Sequence, residues 1–165
     1  VTVDQINDLD RRAFVQAIGW VFEQSPWVAE RTWEHRPFAS VEALNETMES
    51  QVELASRPEK ITLLRAHPDL GSRVQMSHAS TDEQAGAGLD RLTPREYRRF
   101  HHLNEAYKTR FGFPFLFAVK GRNKFQVLQS LEQRLDAGPE EEFQTAMRQV
   151  YKIARFRLQD LIDNH

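Results

Sequence analysis

The sequence predicts an all-α fold, a compact single-domain array of about seven or eight helices over residues 1–165. Three observations carry this expectation. Apolar residues recur at steps of three and four along most of the chain. Helix-start signals stand between the periodic stretches, and the seven Gly and seven Pro sit mainly at those junctions as punctuation. Strict two-residue alternation, the mark of a half-buried strand, is almost absent.

Taken in order, Ser25 followed by Pro26 places a capping residue before a proline at the first helical position, predicting a short helix through Trp33. Ser40 opens residues 41–55, where Val41, Leu44, Met48, Val52 and Ala55 share one face. Pro58 opens residues 59–66, which must end near His67 because Pro68 disfavours helical geometry in the residue before it. Ser80–Glu83 and Thr93–Glu96 both read as capping boxes, a hydroxyl followed three residues later by Glu. The second opens a long helix to about Arg110, with Tyr97, Phe100, Leu103 and Tyr107 on or near one face. Residues 123–136 carry Phe125, Leu128, Leu131 and Leu135, and Gly138 is placed to end them as a left-handed cap. Pro139 starts the last helix, with Phe143, Met147, Val150, Ala154 and Leu161 as its buried stripe. Residues 111–119 interrupt the pattern: apolar, yet broken by Gly112 and Pro114, they are expected to cross the interior in extended form.

Composition excludes several function classes. The 22 Lys+Arg against 24 Asp+Glu leave a charge of −2, with no basic footprint for nucleic acid and no acidic tail. The absence of cysteine removes disulfides, thiol nucleophiles and Cys-based metal sites. No apolar run approaches the roughly 18 residues of a membrane span, and residues 1–20 lack a signal-peptide core. There is no HExxH, no GxSxG, and no phosphate loop, since Gly86-Ala87-Gly88 lacks both a preceding strand and a following Lys. An enzyme built from this chain is expected to work by acid–base and electrostatic means, with no metal and no organic cofactor.

Three charged or titratable residues stand out. Arg157 lies seven residues from Val150, three from Ala154 and four from Leu161, on the apolar stripe of the last helix. Either its stem lies along the stripe margin with the guanidinium in water, or a partly buried guanidinium takes an anion from a carboxylate or a ligand. His67 sits at a helix C-terminus, where the negative end of the dipole favours the imidazolium form. Glu83 has a structural task as partner of Ser80 in the capping box, sufficient on its own to explain it. Arg98-Arg99 and His101-His102 fall on a solvated helix face.

Six blocks, read together, resemble one family. They are Phe22-Glu23-Gln24-Ser25-Pro26-Trp27, Ala66-His67-Pro68-Asp69-Leu70-Gly71, the stretch from Ser80 to Leu89 (STDEQAGAGL), Leu103-Asn104-Glu105-Ala106-Tyr107, Phe111-Gly112-Phe113-Pro114-Phe115, and Ile153-Ala154-Arg155-Phe156-Arg157-Leu158. In this order and over nearly the whole chain, they resemble the OHCU decarboxylases of urate breakdown, which act on a ureido-imidazoline with a hydroxyl and a carboxylate on one ring carbon.

The resemblance implies an all-helical homodimer acting on that small molecule without a cofactor, to give S-allantoin. Carried over by position, it makes His67 and Glu83 the catalytic pair and Ser80, Gln84 and Arg157 substrate-holding residues. Pro68 lines the pocket, and a main-chain contact falls near Phe117, whose ring is larger than the aliphatic residue often found there. The last three residues, Asp163-Asn164-His165, are not a peroxisomal tripeptide, which favours a cytoplasmic location. Two competing classes are a non-enzymatic helical module that binds a partner through a groove, and a lyase acting on a different ureido acid.

Overall fold

The structure is a computed structural model and describes residues 1–71 and 91–162. Among these residues it is all-α: eight α-helices, one 3₁₀ turn and no strand. The chain divides into two compact units, Val1–Ala66 with Tyr151–His165, and His67–Val150.

The first unit contains α1 (Val3–Asn7), α2 (Arg11–Ile18), a 3₁₀ turn at Gly19–Val21, α3 (Trp27–Trp33), α4 (Val41–Glu53) and α5 (Arg57–Ala66). The first two have caps that the sequence reading did not mark: Thr2 and Gln5 form a capping box, and the Asp10 side chain accepts from the Ala13 N–H. Helix α2 packs on α3 and α3 on α4, around Phe14, Ile18, Val28, Ala29, Leu44, Met48 and Val52, all nearly inaccessible to water. Ser40 caps α4 as expected, accepting from the Ala43 N–H at 3.1 Å, though the helix ends at Glu53 rather than Ala55. Two expectations need correction. Ser25 does not cap α3: Pro26 is its N-cap, and the Ser25 hydroxyl donates to the Glu23 carbonyl instead, at 2.8 Å. Helix α5 begins one residue before Pro58, with Ser56 and Glu59 forming a reciprocal cap across it. Tyr151 donates to the Glu53 carboxylate; burial, then that hydrogen bond, pushes its phenol up.

The second unit contains α6 (Pro94–Phe111) and α7 (Lys124–Leu135), which pack on each other, the irregular segment 112–119, and the first part of α8 (Pro139–Leu161). The Thr93–Glu96 capping box opens α6 as expected. Its end is set by Gly112, whose φ of 77° is the left-handed cap assigned in advance to Gly138. Gly138 instead serves the start of α8, its carbonyl accepting from the Glu142 N–H, while α7 stops at a right-handed Asp136. Of segment 111–119, expected to be extended and interior throughout, Phe111 instead ends α6 and Gly112 is exposed, while Phe113, Phe115, Leu116 and Ala118 are buried as expected.

Two stripes are shifted by a residue. On α7 the inward positions are Val127, Leu128, Leu131 and Arg134; Phe125 is exposed and Leu135 only half-buried. On α8 burial runs through Val150, Ala154 and Leu158, with Leu161 half-buried, so Arg157 flanks the stripe rather than standing on it.

Arg134 is buried because it has a buried partner. Its Nε and Nη2 donate to Glu142 Oε1 at 2.8 and 2.5 Å, and Tyr107 donates to the same oxygen. The remaining Nη1 donates to the Leu116 carbonyl at 2.7 Å, while the guanidinium lies 4.5 Å from the centre of the Phe115 ring. Burial, then the hydrogen bond to Glu142, pushes the Tyr107 phenol up.

Candidate active site

His67 is 5 % exposed and follows the last residue of α5 directly. The residues that follow it are tied to α6. Asp69 Oδ1 accepts from the Gly71 N–H at 2.8 Å and from Asn104 Nδ2 at 3.0 Å, while Oδ2 accepts from Lys108 Nζ at 2.7 Å. Asn104 and Lys108 are four apart on α6 and so present the same face to one carboxylate. Leu70 is buried beside them in sequence. Gly71 is required by space rather than by conformation: a Cβ there would meet Asn104 Nδ2 at 2.5 Å. Asp69, Leu70 and Gly71 of His-Pro-Asp-Leu-Gly thus each have a physical reason, while Pro68 is exposed and constrains the backbone of His67 before it. Burial raises the Asp69 carboxyl, but the three hydrogen bonds outweigh it and hold the group below the usual carboxylate range. Lys108 is raised in turn, chiefly by its hydrogen bond to Asp69.

Arg157 belongs to the other unit. Its Nη2 lies 2.8 Å from Glu23 Oε2, and Nη1 donates weakly to the Trp20 and Val21 carbonyls at 3.4 and 3.3 Å. Its side chain is 28 % exposed and that of Glu23 22 %. The guanidinium thus has a carboxylate partner, while its stem lies at the margin of the stripe, so each sequence-level reading describes part of its setting. Glu23 is offered by a tight turn in Phe22-Glu23-Gln24-Ser25: Phe22 is buried, Gln24 has a φ of 46°, and the buried Ser25 ties both the Phe22 and Glu23 carbonyls.

Phe117 is half-buried, its ring stacked on that of Phe115 at 6.1 Å and 14°. Ser80, Glu83 and Gln84 lie outside the described residues, as does the Ser80–Glu83 capping box. His67, Pro68 and Phe117 therefore fall in one unit and Arg157 in the other. The reading of the sequence missed Asp69, which ties the segment after His67 to α6, and Glu23, which pairs with Arg157. Both stand inside the quoted blocks, and the pairing of Asn104 with Lys108 at helical spacing was the available signal for Asp69.

Residues 7–159 match the family described as OHCU decarboxylase. The chain belongs to that family. It is 47 % identical over 161 residues to the 2-oxo-4-hydroxy-4-carboxy-5-ureidoimidazoline decarboxylase of Halalkalicoccus jeotgali, covering 98 % of this chain and 92 % of that one. To the protein of the same name from Haloferax volcanii it is 49 % identical over 158 residues, covering 96 % and 94 %. The solved structure of an (S)-allantoin synthase superposes with a TM-score of 0.84 at 34 % identity, over 99 % of this chain and 54 % of that longer chain. As a member of the OHCU decarboxylase family, the chain is a carboxy-lyase. Among the described residues no helix is long and apolar enough to cross a membrane.

Proposed function

We propose that this chain decarboxylates 2-oxo-4-hydroxy-4-carboxy-5-ureidoimidazoline to S-allantoin, a step in the breakdown of urate. The observation that carries the reading is near-full-length identity of almost half to relatives bearing that activity in their names. In the substrate, the carbon that loses CO2 stands beside a C=N bond. Breaking the C–C bond leaves two electrons that flow into this imine, so the substrate supplies its own electron sink and the reaction calls for no cofactor. What the protein must add is orientation, charge stabilisation and a proton delivered to one face.

In this reading His67 and Glu83 are the acid–base pair for the hydroxyl, the carboxylate and the enol-like intermediate. Ser80, Gln84 and Arg157 hold the substrate, Arg157 through the planar fork of its guanidinium, which suits a carboxylate or a ureido oxygen. Pro68 lines the pocket and the main chain at Phe117 meets the ligand. Two residues after His67, Asp69 ties the chain to Asn104 and Lys108 of α6, and a tethered segment beside it suits an acid–base group that must be held in one geometry. Residues 1–165 act as one domain, the protein is a homodimer, and its location is cytoplasmic; sedimentation of the purified protein and cell fractionation test the last two.

The deciding experiment adds purified protein to freshly generated substrate. Loss of the substrate's ultraviolet absorbance together with a growing optical rotation of one sign is the expected result. Decay no faster than the spontaneous reaction, or a racemic product, would refute the assignment.

A further inference from the structure

Among the described residues, the segment carrying Phe117 is hydrogen-bonded to its own unit along one edge. Arg134 Nη1 donates to the Leu116 carbonyl at 2.7 Å, and the Ala118 N–H donates to Gln149 Oε1 at 2.9 Å. Between these two bonds lies Phe117, whose N–H and carbonyl have no hydrogen-bond partner among the described residues. The backbone geometry explains the pattern. Rings of Phe115 and Phe117, two residues apart, stack on one side at 14°, as side chains do in extended chain. In extended chain the N–H and C=O of one residue point to the same side, and the carbonyl before and the N–H after it point to the other. Arg134 and Gln149 occupy the edge of Leu116 and Ala118, which leaves the Phe117 pair facing the opposite way.

We propose that Gln149 and Arg134 are positioning residues, which fix the peptide of residues 116–118 so that the Phe117 N–H and carbonyl are presented to the ureido-imidazoline. The inference rests on the proposed function and deepens it. A donor and an acceptor side by side match the complementary N–H and C=O of a ureido or ring-amide group, so the class of ligand that fits this edge is a cyclic or open-chain urea. The two anchors differ in kind. Arg134 is buried and locked to Glu142, whereas Gln149 is half-buried and contributes one accepting oxygen. Gln149 is therefore the position at which the anchor can be removed without disturbing the core.

The test compares three variants of the full chain, Gln149→Met, Gln149→Leu and Gln149→Glu. Met keeps the length but loses the strong acceptor, and Leu removes the acceptor with a different shape; Glu keeps an accepting oxygen. Loss of one net hydrogen bond of ordinary strength corresponds to about three- to tenfold in affinity. The Met and Leu variants are expected to raise both KM and the Kd for allantoin by that factor while kcat stays nearly unchanged, the signature of lost uniform binding. The Glu variant should restore both constants to near wild type. Unchanged allantoin affinity in whichever of Met and Leu folds would overturn the inference, as would a Glu variant as impaired as they are, since either outcome makes Gln149 merely structural. If the wild type itself neither turns over the substrate nor binds allantoin, the functional reading falls and this inference with it. Wild-type binding alongside unaffected variants sinks the inference alone.

Discussion

Glu23 and Arg157, separated by 134 positions in sequence, face each other at 2.8 Å with both side chains between one-fifth and one-third exposed. That exposure sets the energy. Solvent screening limits such a pair to about 1 kcal/mol or less, so removing Arg157 leaves Glu23 in a place water can reach. Arg157→Ala is expected to melt close to wild type without ligand, yet to lose most of the upward melting shift that saturating allantoin gives the wild type. Arg157→Lys keeps the charge and the Glu23 contact but not the fork, and should bind allantoin distinctly more weakly. A wild-type-sized allantoin shift in the Ala variant would remove Arg157 from the site.

His67→Ala should fold normally and lose about 10²–10⁴-fold in kcat, the usual contribution of a positioned acid–base group. Circular dichroism verifies the fold, and more than half of wild-type turnover would refute the role. Glu83→Gln is the companion measurement. Gln serves a capping box as well as Glu does, so an acid–base role predicts loss of activity by orders of magnitude with little change in Tm. Near-normal turnover would return Glu83 to a purely structural task.

Asp69 gives the protein an acid sensitivity of predictable sign. Its carboxyl is held below the usual range by Lys108, Asn104 and Gly71 against the opposing effect of burial. A group depressed in the folded state contributes stability above its unfolded value of about 3.9 and loses it as pH falls through the lower, folded value. Melting temperature should therefore drop as pH is lowered below about 4, and Asp69→Asn should flatten that part of the profile while lowering Tm at neutral pH. Gly71→Ala should cause a comparable neutral-pH loss, because the added methyl displaces Asn104 from Asp69. An Asp69→Asn profile parallel to wild type below pH 4 would contradict this account.

Arg134 and Glu142 behave oppositely to the half-exposed pair. Their side chains are 10 % and 1 % exposed, and Glu142 Oε2 has no partner among the described residues. Breaking a buried pair by removing one member costs about 3–5 kcal/mol, whereas replacing both by apolar groups can be close to neutral. Arg134→Met should melt far below wild type, and the double variant Arg134→Met with Glu142→Leu should recover a large part of the loss. Thermal or urea denaturation of the two variants decides the matter; no recovery in the double variant would mean that Leu116 and Phe115 depend on the guanidinium itself.

What was legible in the sequence follows from how local each signal is. Thr93–Glu96 and Ser40 open helices because their caps are made within three residues, and Pro139 starts one because its fixed φ suits a first helical position. The end of α7 was misread because Gly138 stands between two helices and precedes Pro139, and a glycine there can close one helix or open the next. Leu135 was expected inside α7, and Arg134 was not marked at all; the burial of Arg134 depends on Glu142, eight residues away and on another helix. The same limit applies to the site. His67 stood out at a helix C-terminus before a proline, and Arg157 as a charge on the expected apolar stripe. Asp69, two residues after His67, and Glu23, the partner of Arg157, make contacts 35 and 134 positions distant, and no periodicity reports a contact of that kind.

Each compact unit encloses one phenol whose ionisation is suppressed, Tyr107 in His67–Val150 and Tyr151 in the unit that includes Val1–Ala66. An unfolded tyrosine ionises near pH 10, so above that pH each unit is favoured to open and to release a phenolate absorbance withheld until then. The chain thus carries two built-in optical reporters, one for each half. With the third tyrosine, Tyr97, replaced by Phe, a single alkaline step in the ultraviolet would mean that the halves melt as one cooperative body, and two steps that they melt in turn. Tyr107→Phe and Tyr151→Phe would each silence one signal and tell which half had moved.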